Sequence, residues 1–146
     1  GIISPELHWY FDLNANVAQT IASGFFDSMS LYQKLSFEQQ QKLEQILLFF
    51  DLKEDKNKKL NTLSLGKQRL ALLARTIVKN PELLILDEPC QGLDVQQTKY
   101  FNRVVDDLCN SGHTLIYVGH FESQLPESFS HKLILEKGEI KNEKFQ

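Results

Sequence analysis

The feature that most constrains the fold is an uninterrupted apolar run, Leu83–Leu86, that passes directly into Asp87 and Glu88. A run of this length without polar alternation is typical of a strand buried on both faces of a parallel sheet. Thr114–Val118 has the same character, and a pattern of apolar side chains at helical spacing separates the two runs. This alternation of helix and buried strand predicts an α/β fold with parallel strands joined by crossover helices.

Helices are predicted where a capping residue precedes apolar side chains at helical spacing. The predicted caps are Ser36, Ser64 and Asp94. The helix after Ser64 is expected to run to about Lys79, and the helix after Asp94 to end before Gly112, a residue type suited to the turn that follows a helix. An apolar face in residues 16–26 predicts a further helix, so the first third of the chain is expected to be helical.

The remaining segments predict strands and a connector. Gly1–Ile3 has the apolar character of a strand end, and Lys132–Glu136 is expected to be a third buried strand. A turn at Lys137–Gly138 should then lead into a short last strand. The polar run Lys53–Lys59 is expected to be a solvated connector.

Composition fits one globular domain and excludes several classes of protein. The chain has 146 residues, 42% of them hydrophobic, and a net charge of −3, which gives no support for binding nucleic acid through net charge. Cys90 and Cys109 are too few for a disulfide scaffold, and no CxxC or Cys/His cluster predicts zinc. No apolar run approaches the roughly 20 residues of a membrane-spanning helix, and the first residues lack the features of a signal peptide.

Polar side chains follow the two buried strands at the point where each strand ends. Asp87 and Glu88 follow the first, and His120 follows the second; this edge of a parallel sheet is where such folds bind ligands. The carboxylates suit Mg²⁺ beside a phosphate, the imidazole suits a donor towards phosphate, and Ser64 with Gly66 at a predicted helix start suits an anion. Taken singly, each feature also has a structural explanation: a turn pair, a structural histidine or an ordinary helix cap.

Taken together, these segments resemble one family. LSLGKQR, LLILDEP, GLD and the strand ending in His120 have the order and spacing of the signature, Walker B, D-loop and switch-histidine motifs of ABC-type ATPases. Residues 63–94 resemble this family without interruption. The segment DEPCQGLD, together with SPELH near the start, is most similar to the molybdate-associated tandem ATP-binding proteins. The resemblance implies a partial P-loop NTPase core together with the helical subdomain of this family.

The resemblance also implies roles for particular residues at the strand ends. Asp87 would hold Mg²⁺ through water. Glu88 would orient or activate the attacking water, and His120 would reach the γ-phosphate of ATP. The implied cofactors are therefore ATP and Mg²⁺.

The same resemblance implies a half-site at the start of the signature helix. Ser64 and Gly66 would bind the γ-phosphate of ATP held by a second nucleotide-binding domain, and Asp94 would communicate across that dimer. Lys67 replaces the usual glutamine or glutamate of the signature, and its cation would favour phosphate. Leu65 replaces the first glycine and would narrow the approach of the backbone.

Two further motifs of the family are not found. No G-x-x-x-x-G-K-[ST] loop occurs in the sequence, and Ser4-Pro5-Glu6 stands where the Q-loop glutamine is expected. Because the family's phosphate loop precedes these segments, we expect the chain to be the later part of a nucleotide-binding domain, with Gly1 at the cut edge of a sheet. Residues of about 10–80 would form the helical and signature subdomain, and about 81–146 the core from Walker B to the switch histidine.

Three functions stand as alternatives. The first is the ATP-hydrolysing subunit of an ABC transporter, cytoplasmic at the inner face of the membrane, with a second nucleotide-binding domain and a membrane permease as partners. The second is a soluble ABC-type ATPase that acts on ribosomes or DNA, although the basic insertions that would favour it are not seen. The third is a non-catalytic piece that supplies only the half-site in trans, which is the expectation for these 146 residues alone.

Overall fold

The computed structural model describes residues 1–5, 10–28 and 33–145. Its helices are α1, Val17–Ser23; α2, Phe37–Phe49; α3, Leu65–Ile77; and α4, Val95–Asn110. Its strands are β1, Ile2–Ile3; β2, Leu83–Asp87; β3, Thr114–Val118; β4, His131–Glu136; and β5, Glu139–Phe145. Short 3₁₀ turns lie at Gly24–Phe26, Lys53–Asp55, Leu60–Thr62 and Glu122–Gln124. Within the described residues, no helix has the length and apolar character needed to span a membrane.

The predicted capping residues do begin their helices. The Ser36 hydroxyl oxygen accepts from the backbone N–H of Gln39 at 3.2 Å, while Gln39 Oε1 accepts from the N–H of Ser36 at 2.9 Å. This reciprocal pair is a capping box, and it satisfies two N–H groups at the start of α2. The side chains of Ser64 and Asp94 cap α3 and α4 in the same position. The helix α3 ends somewhat earlier than expected, at Ile77.

The parallel sheet has the order β1-β2-β3, with β2 in the centre. Leu86 pairs with Ile3 on one side, and Asp87 pairs with Val118 on the other. The face that carries Ile3, Leu84 and Leu86 is buried and belongs to one core with the apolar sides of all four helices. The α/β fold predicted from the sequence is confirmed, and the carboxyl ends of β2 and β3 lie side by side.

The other face of this sheet is not buried, contrary to the prediction for both β2 and β3. Ile2, Leu83, Ile116 and Val118 are between 40% and 57% exposed. The core takes its side chains from the opposite face of the sheet. A continuous apolar run indicates a strand in a parallel sheet, but it does not reveal which faces are covered.

Lys132–Glu136 lies in a strand as predicted, but the expectation that this strand is buried is wrong. The strand β4 pairs antiparallel with β5 in a separate two-stranded sheet. The predicted turn joins them, and in it Lys137 and Gly138 have φ of 51° and 82°. Two successive residues in the left-handed region favour a tight hairpin between neighbouring strands. Leu133 and Leu135 in β4 are accordingly 52% and 63% exposed.

The charged segment Lys53–Lys59 is more than the solvated connector that was predicted. Asp55 within it is only 3% exposed, and its carboxylate forms ion pairs with Lys58 and Lys67. The end of the segment also forms an isolated antiparallel bridge with Asn16. This segment is therefore fixed against both α1 and the start of α3.

Candidate functional site

The carboxyl ends of β2 and β3 bring two of the predicted catalytic residues into contact. His120 Nε2 lies 2.6 Å from Glu88 Oε1, a distance typical of a strong hydrogen bond to a carboxylate. The backbone N–H of Glu88 donates to Val118 O at 3.0 Å, which fixes the glutamate against the end of β3. The side chain of Glu88 is 27% exposed and that of His120 is 71% exposed, so the pair opens to solvent on the histidine side.

Glu88 has an unusual backbone conformation. Its φ of 44° lies in the left-handed region, which costs a non-glycine residue on the order of 1–3 kcal/mol. The following turn is closed by a hydrogen bond from Gln91 N to Glu88 O at 3.0 Å. Gln91 Nε2 also lies 3.4 Å from the second carboxylate oxygen, Oε2. The two oxygens of Glu88 thus have different donors, and the turn directs the carboxylate towards the neighbouring strand.

Asp87 is the candidate metal ligand at the end of β2. It is half-buried and lies in register with Val118. Among residues 1–5, 10–28 and 33–145, no group of three or more His, Cys, Asp or Glu side chains could hold a metal ion. A single carboxylate is enough for Mg²⁺ in nucleotide sites, because that ion obtains its other ligands from water and substrate phosphates. The donor present therefore fits Mg²⁺ that binds together with a nucleotide.

The start of α3 lies directly against the start of α4. A Cβ atom at Gly66 would lie 3.2 Å from the side chain of Gln97, and one at Gly92 would lie 3.2 Å from the side chain of Leu65. Both distances are tighter than ordinary contacts, so glycine permits the close approach at each position. The carboxylate of Asp94 caps α4 between these contacts. The predicted signature and D-loop segments are therefore neighbours in space.

A cavity of about 300 Å³ opens beside these two helix starts. Its wall combines signature residues, polar residues that follow Asp94, and two aromatic side chains. The lining residues are Phe50, Asp51, Ser64, Gly66, Lys67, Leu70, Gln96, Gln97 and Tyr100. The predicted binding residues of the signature thus share one cavity. The strand-end residues Asp87, Glu88 and His120 are not among its lining, so the candidate residues form two separate groups.

Lys67 takes part in an ion pair that the sequence did not predict. Its ammonium contacts Asp55 Oδ2, and Lys58 Nζ lies 2.7 Å from Asp55 Oδ1. The hydrogen bonds from Lys58 and then Lys67 hold the pKa of Asp55 below its usual value of 3.8. Asp55 was missed because a carboxylate within a charged run is usually solvated. One of its partners, Lys67, is 12 residues away in sequence.

These ion pairs predict an acid-sensitive contribution to stability. Because the pKa of Asp55 is lower in the folded protein than its usual 3.8, the contribution is fully present above that value. It is lost as the pH falls through the lower, folded-state pKa. We expect Asp55→Asn to lower the free energy of unfolding by about 1–3 kcal/mol at neutral pH, and this difference to shrink below about pH 4.

Urea unfolding at a series of pH values measures the effect. Glu54→Gln is the matched control, because Glu54 is the adjacent acidic residue and is exposed. We expect that variant to unfold like the unmodified protein at every pH. A difference for Asp55→Asn that stays constant from neutral to acidic pH would contradict the prediction.

The chain is similar to known ATP-binding proteins in both sequence and fold. The family profile described as ABC transporter matches residues 10–91. The ABC transporter ATP-binding protein ModF of Escherichia coli (strain K12) is 40% identical over 135 residues, which cover 91% of this chain and 28% of ModF. The spermidine/putrescine import ATP-binding protein PotA of Bacillus thuringiensis (strain Al Hakam) is 32% identical, over 91% of this chain and 40% of PotA.

A solved structure shows the same fold over almost the whole chain. It is the ADP conformation of an ATP-binding cassette of an ABC transporter, with a TM-score of 0.83 and 21% sequence identity. The match covers 99% of this chain and 59% of that chain. The chain therefore spans about three-fifths of the solved cassette and less than a third of ModF.

Proposed function

The chain belongs to the ABC transporter ATP-binding family, and on this premise we propose that it contributes residues to two parts of a composite ATP site. The proposed reaction is hydrolysis of MgATP by the full-length protein that contains these residues. The observation that carries the proposal is the 2.6 Å contact between Glu88 and His120 at the carboxyl edge of the parallel sheet. Such an edge is the usual ligand site of open α/β sheets.

Glu88 and His120 would act on the terminal phosphate of ATP. Glu88 has a fixed backbone and a partly exposed carboxylate, so it can accept a hydrogen bond from the attacking water and orient it. His120 is largely exposed, so its imidazole can donate a hydrogen bond to an oxygen of the γ-phosphate. Asp87 would hold Mg²⁺ through water, and that ion, when bound, neutralises charge on the phosphates.

The start of α3 would serve a nucleotide held by a second nucleotide-binding domain. Ser64 and Gly66 lie where the unpaired N–H groups and the positive end of the helix dipole favour an anion. Lys67 would add a cation, although its ion pair with Asp55 offsets part of that charge. Asp94 would communicate between the two domains, since the segment that it caps lies against the signature segment.

Transport is the proposed role of the whole protein. Two relatives support this choice by their names: ModF is an ABC transporter ATP-binding protein, and PotA is a spermidine/putrescine import ATP-binding protein. The proposed partners are a second nucleotide-binding domain and a membrane permease, with the chain on the cytoplasmic side of the membrane. Purification of the full-length protein from detergent-solubilised membranes distinguishes the two functions. A transport subunit is expected to copurify with a membrane permease, whereas a soluble ATPase is not.

We expect the 146-residue chain alone to bind MgATP weakly or not at all. It has no G-x-x-x-x-G-K-[ST] loop, and that loop supplies the N–H groups and the lysine that hold the β- and γ-phosphates. Equilibrium dialysis with labelled ATP tests this, with the full-length protein as the control and circular dichroism to check that the chain is folded. Micromolar binding of ATP by the folded chain would count against the proposed division of the site.

A further inference from the structure

The helix α4 touches three segments that surround the Glu88–His120 pair. Asn102, near the middle of the helix, donates from Nδ2 to Gln124 O at 2.6 Å. Its Oδ1 accepts from the hydroxyl of Tyr117 at 3.4 Å and from Cys90 Sγ at 3.7 Å. Tyr117 lies in β3 just before His120, and Cys90 lies in the turn just after Glu88. One amide side chain therefore contacts both loops of the candidate catalytic pair.

The groups around Asn102 are suited to donate to it. The Tyr117 hydroxyl also lies 3.3 Å from Cys90 Sγ, so the three side chains form a closed cluster. All three are half-buried. Burial raises the pKa of Tyr117 and that of Cys90, so both groups keep their protons at neutral pH. Half-buried hydrogen bonds of this kind hold the three side chains close together.

A second side chain of α4, that of Asp106, holds a later part of the segment that follows His120. Asp106 lies one helical turn beyond Asn102, on the same side of the helix. Its Oδ1 accepts from the backbone N–H of Ser128 at 2.9 Å. Lys132 in β4 forms an ion pair with Glu122. The segment between His120 and β4 is thus fixed to α4 at Gln124 and at Ser128.

We propose that Asn102 is a positioning residue, which holds the His120 segment against the Glu88 turn so that the imidazole stays in reach of the carboxylate. The inference rests on the proposed function, because it takes Glu88 and His120 as the residues that act in ATP hydrolysis. Because Asp94 caps the start of α4, the same helix also links the D-loop position to the segment of the switch histidine.

The test uses Asn102→Ala in the full-length protein, with Asn110→Ala as the matched control. Asn110 is the same residue type in the same helix, and it is exposed. Hydrogen–deuterium exchange of the backbone N–H groups of residues 120–125 measures how firmly the segment is held, and this measurement does not require activity. We expect faster exchange there in Asn102→Ala and unchanged exchange in Asn110→Ala. Asn102→Asp, which keeps the shape and loses the donor to Gln124, replaces the alanine variant if that one does not fold.

Kinetics give the second readout. We expect Asn102→Ala to lower kcat about tenfold, the effect of one lost hydrogen bond, with KM for ATP within about twofold. If Asn102 acts through His120, the substitution has no further effect in a His120→Ala background, whereas independent effects would multiply. Unchanged exchange at residues 120–125, or multiplying effects on kcat, would overturn the inference. If the full-length protein hydrolyses no ATP, the proposed function fails, and the exchange result still decides the role of Asn102.

Discussion

Replacement of Glu88 by glutamine is expected to lower ATP hydrolysis by the full-length protein about 10²–10⁴-fold, the usual contribution of a positioned general base. Glutamine has the same shape but is neutral, so it accepts a hydrogen bond from water less strongly and cannot take a proton. ATP binding should be retained, because Asp87 and the phosphate-binding groups are unchanged. A loss in kcat without a matching loss in affinity is the signature of an interaction made in the transition state.

Steady-state release of phosphate measures turnover, and binding of a fluorescent ATP analogue measures affinity. Glu82→Gln is the matched control, because it makes the same chemical change at an exposed carboxylate just before β2. We expect that variant to hydrolyse ATP at the unmodified rate. If Glu88→Gln hydrolyses ATP as fast as the unmodified protein, Glu88 is not the residue that orients water.

Local features of the fold could be predicted from the sequence because they depend on residues that are close along the chain. The caps at Ser36, Ser64 and Asp94 need only a short polar side chain before an apolar pattern, and each begins a helix. The run Leu83–Leu86 predicted a strand for the same reason, and this strand is the central one of the parallel sheet. The turn at Lys137–Gly138 was also found from its own residue types.

The features that could not be predicted depend on contacts between distant residues. An apolar pattern identifies β4 as a strand without naming its partner, and the adjacent hairpin turn pairs it with β5 instead of the parallel sheet. Buried Asp55 pairs with Lys67 from another element. The strands β2 and β3 are neighbours as expected, but the Glu88–His120 contact also requires that Glu88 adopt a positive φ, and no local pattern indicates that conformation for a glutamate.

The largest expected loss of stability comes from Phe101→Ala in α4. Phe101 is 1% exposed and belongs to the core that joins the helices to the sheet. Truncation of a buried phenylalanine removes apolar contacts and leaves a cavity, which costs about 3–5 kcal/mol. Since the total stability of a domain is about 5–15 kcal/mol, this single change should remove a large share of it. Urea unfolding of the full-length protein measures the loss as a lower midpoint.

The neighbouring residue gives a matched control for the same helix. Tyr100 is a similar aromatic side chain, but it is 40% exposed and lines the cavity at the helix starts. We expect Tyr100→Ala to change the free energy of unfolding by less than about 1 kcal/mol, because little of its contact with the core is lost. If both variants lose equal stability, α4 is not anchored through the face that carries Phe101. In that case the helix could not act as the rigid support on which the position of Asn102, and with it the contact between Glu88 and His120, depends.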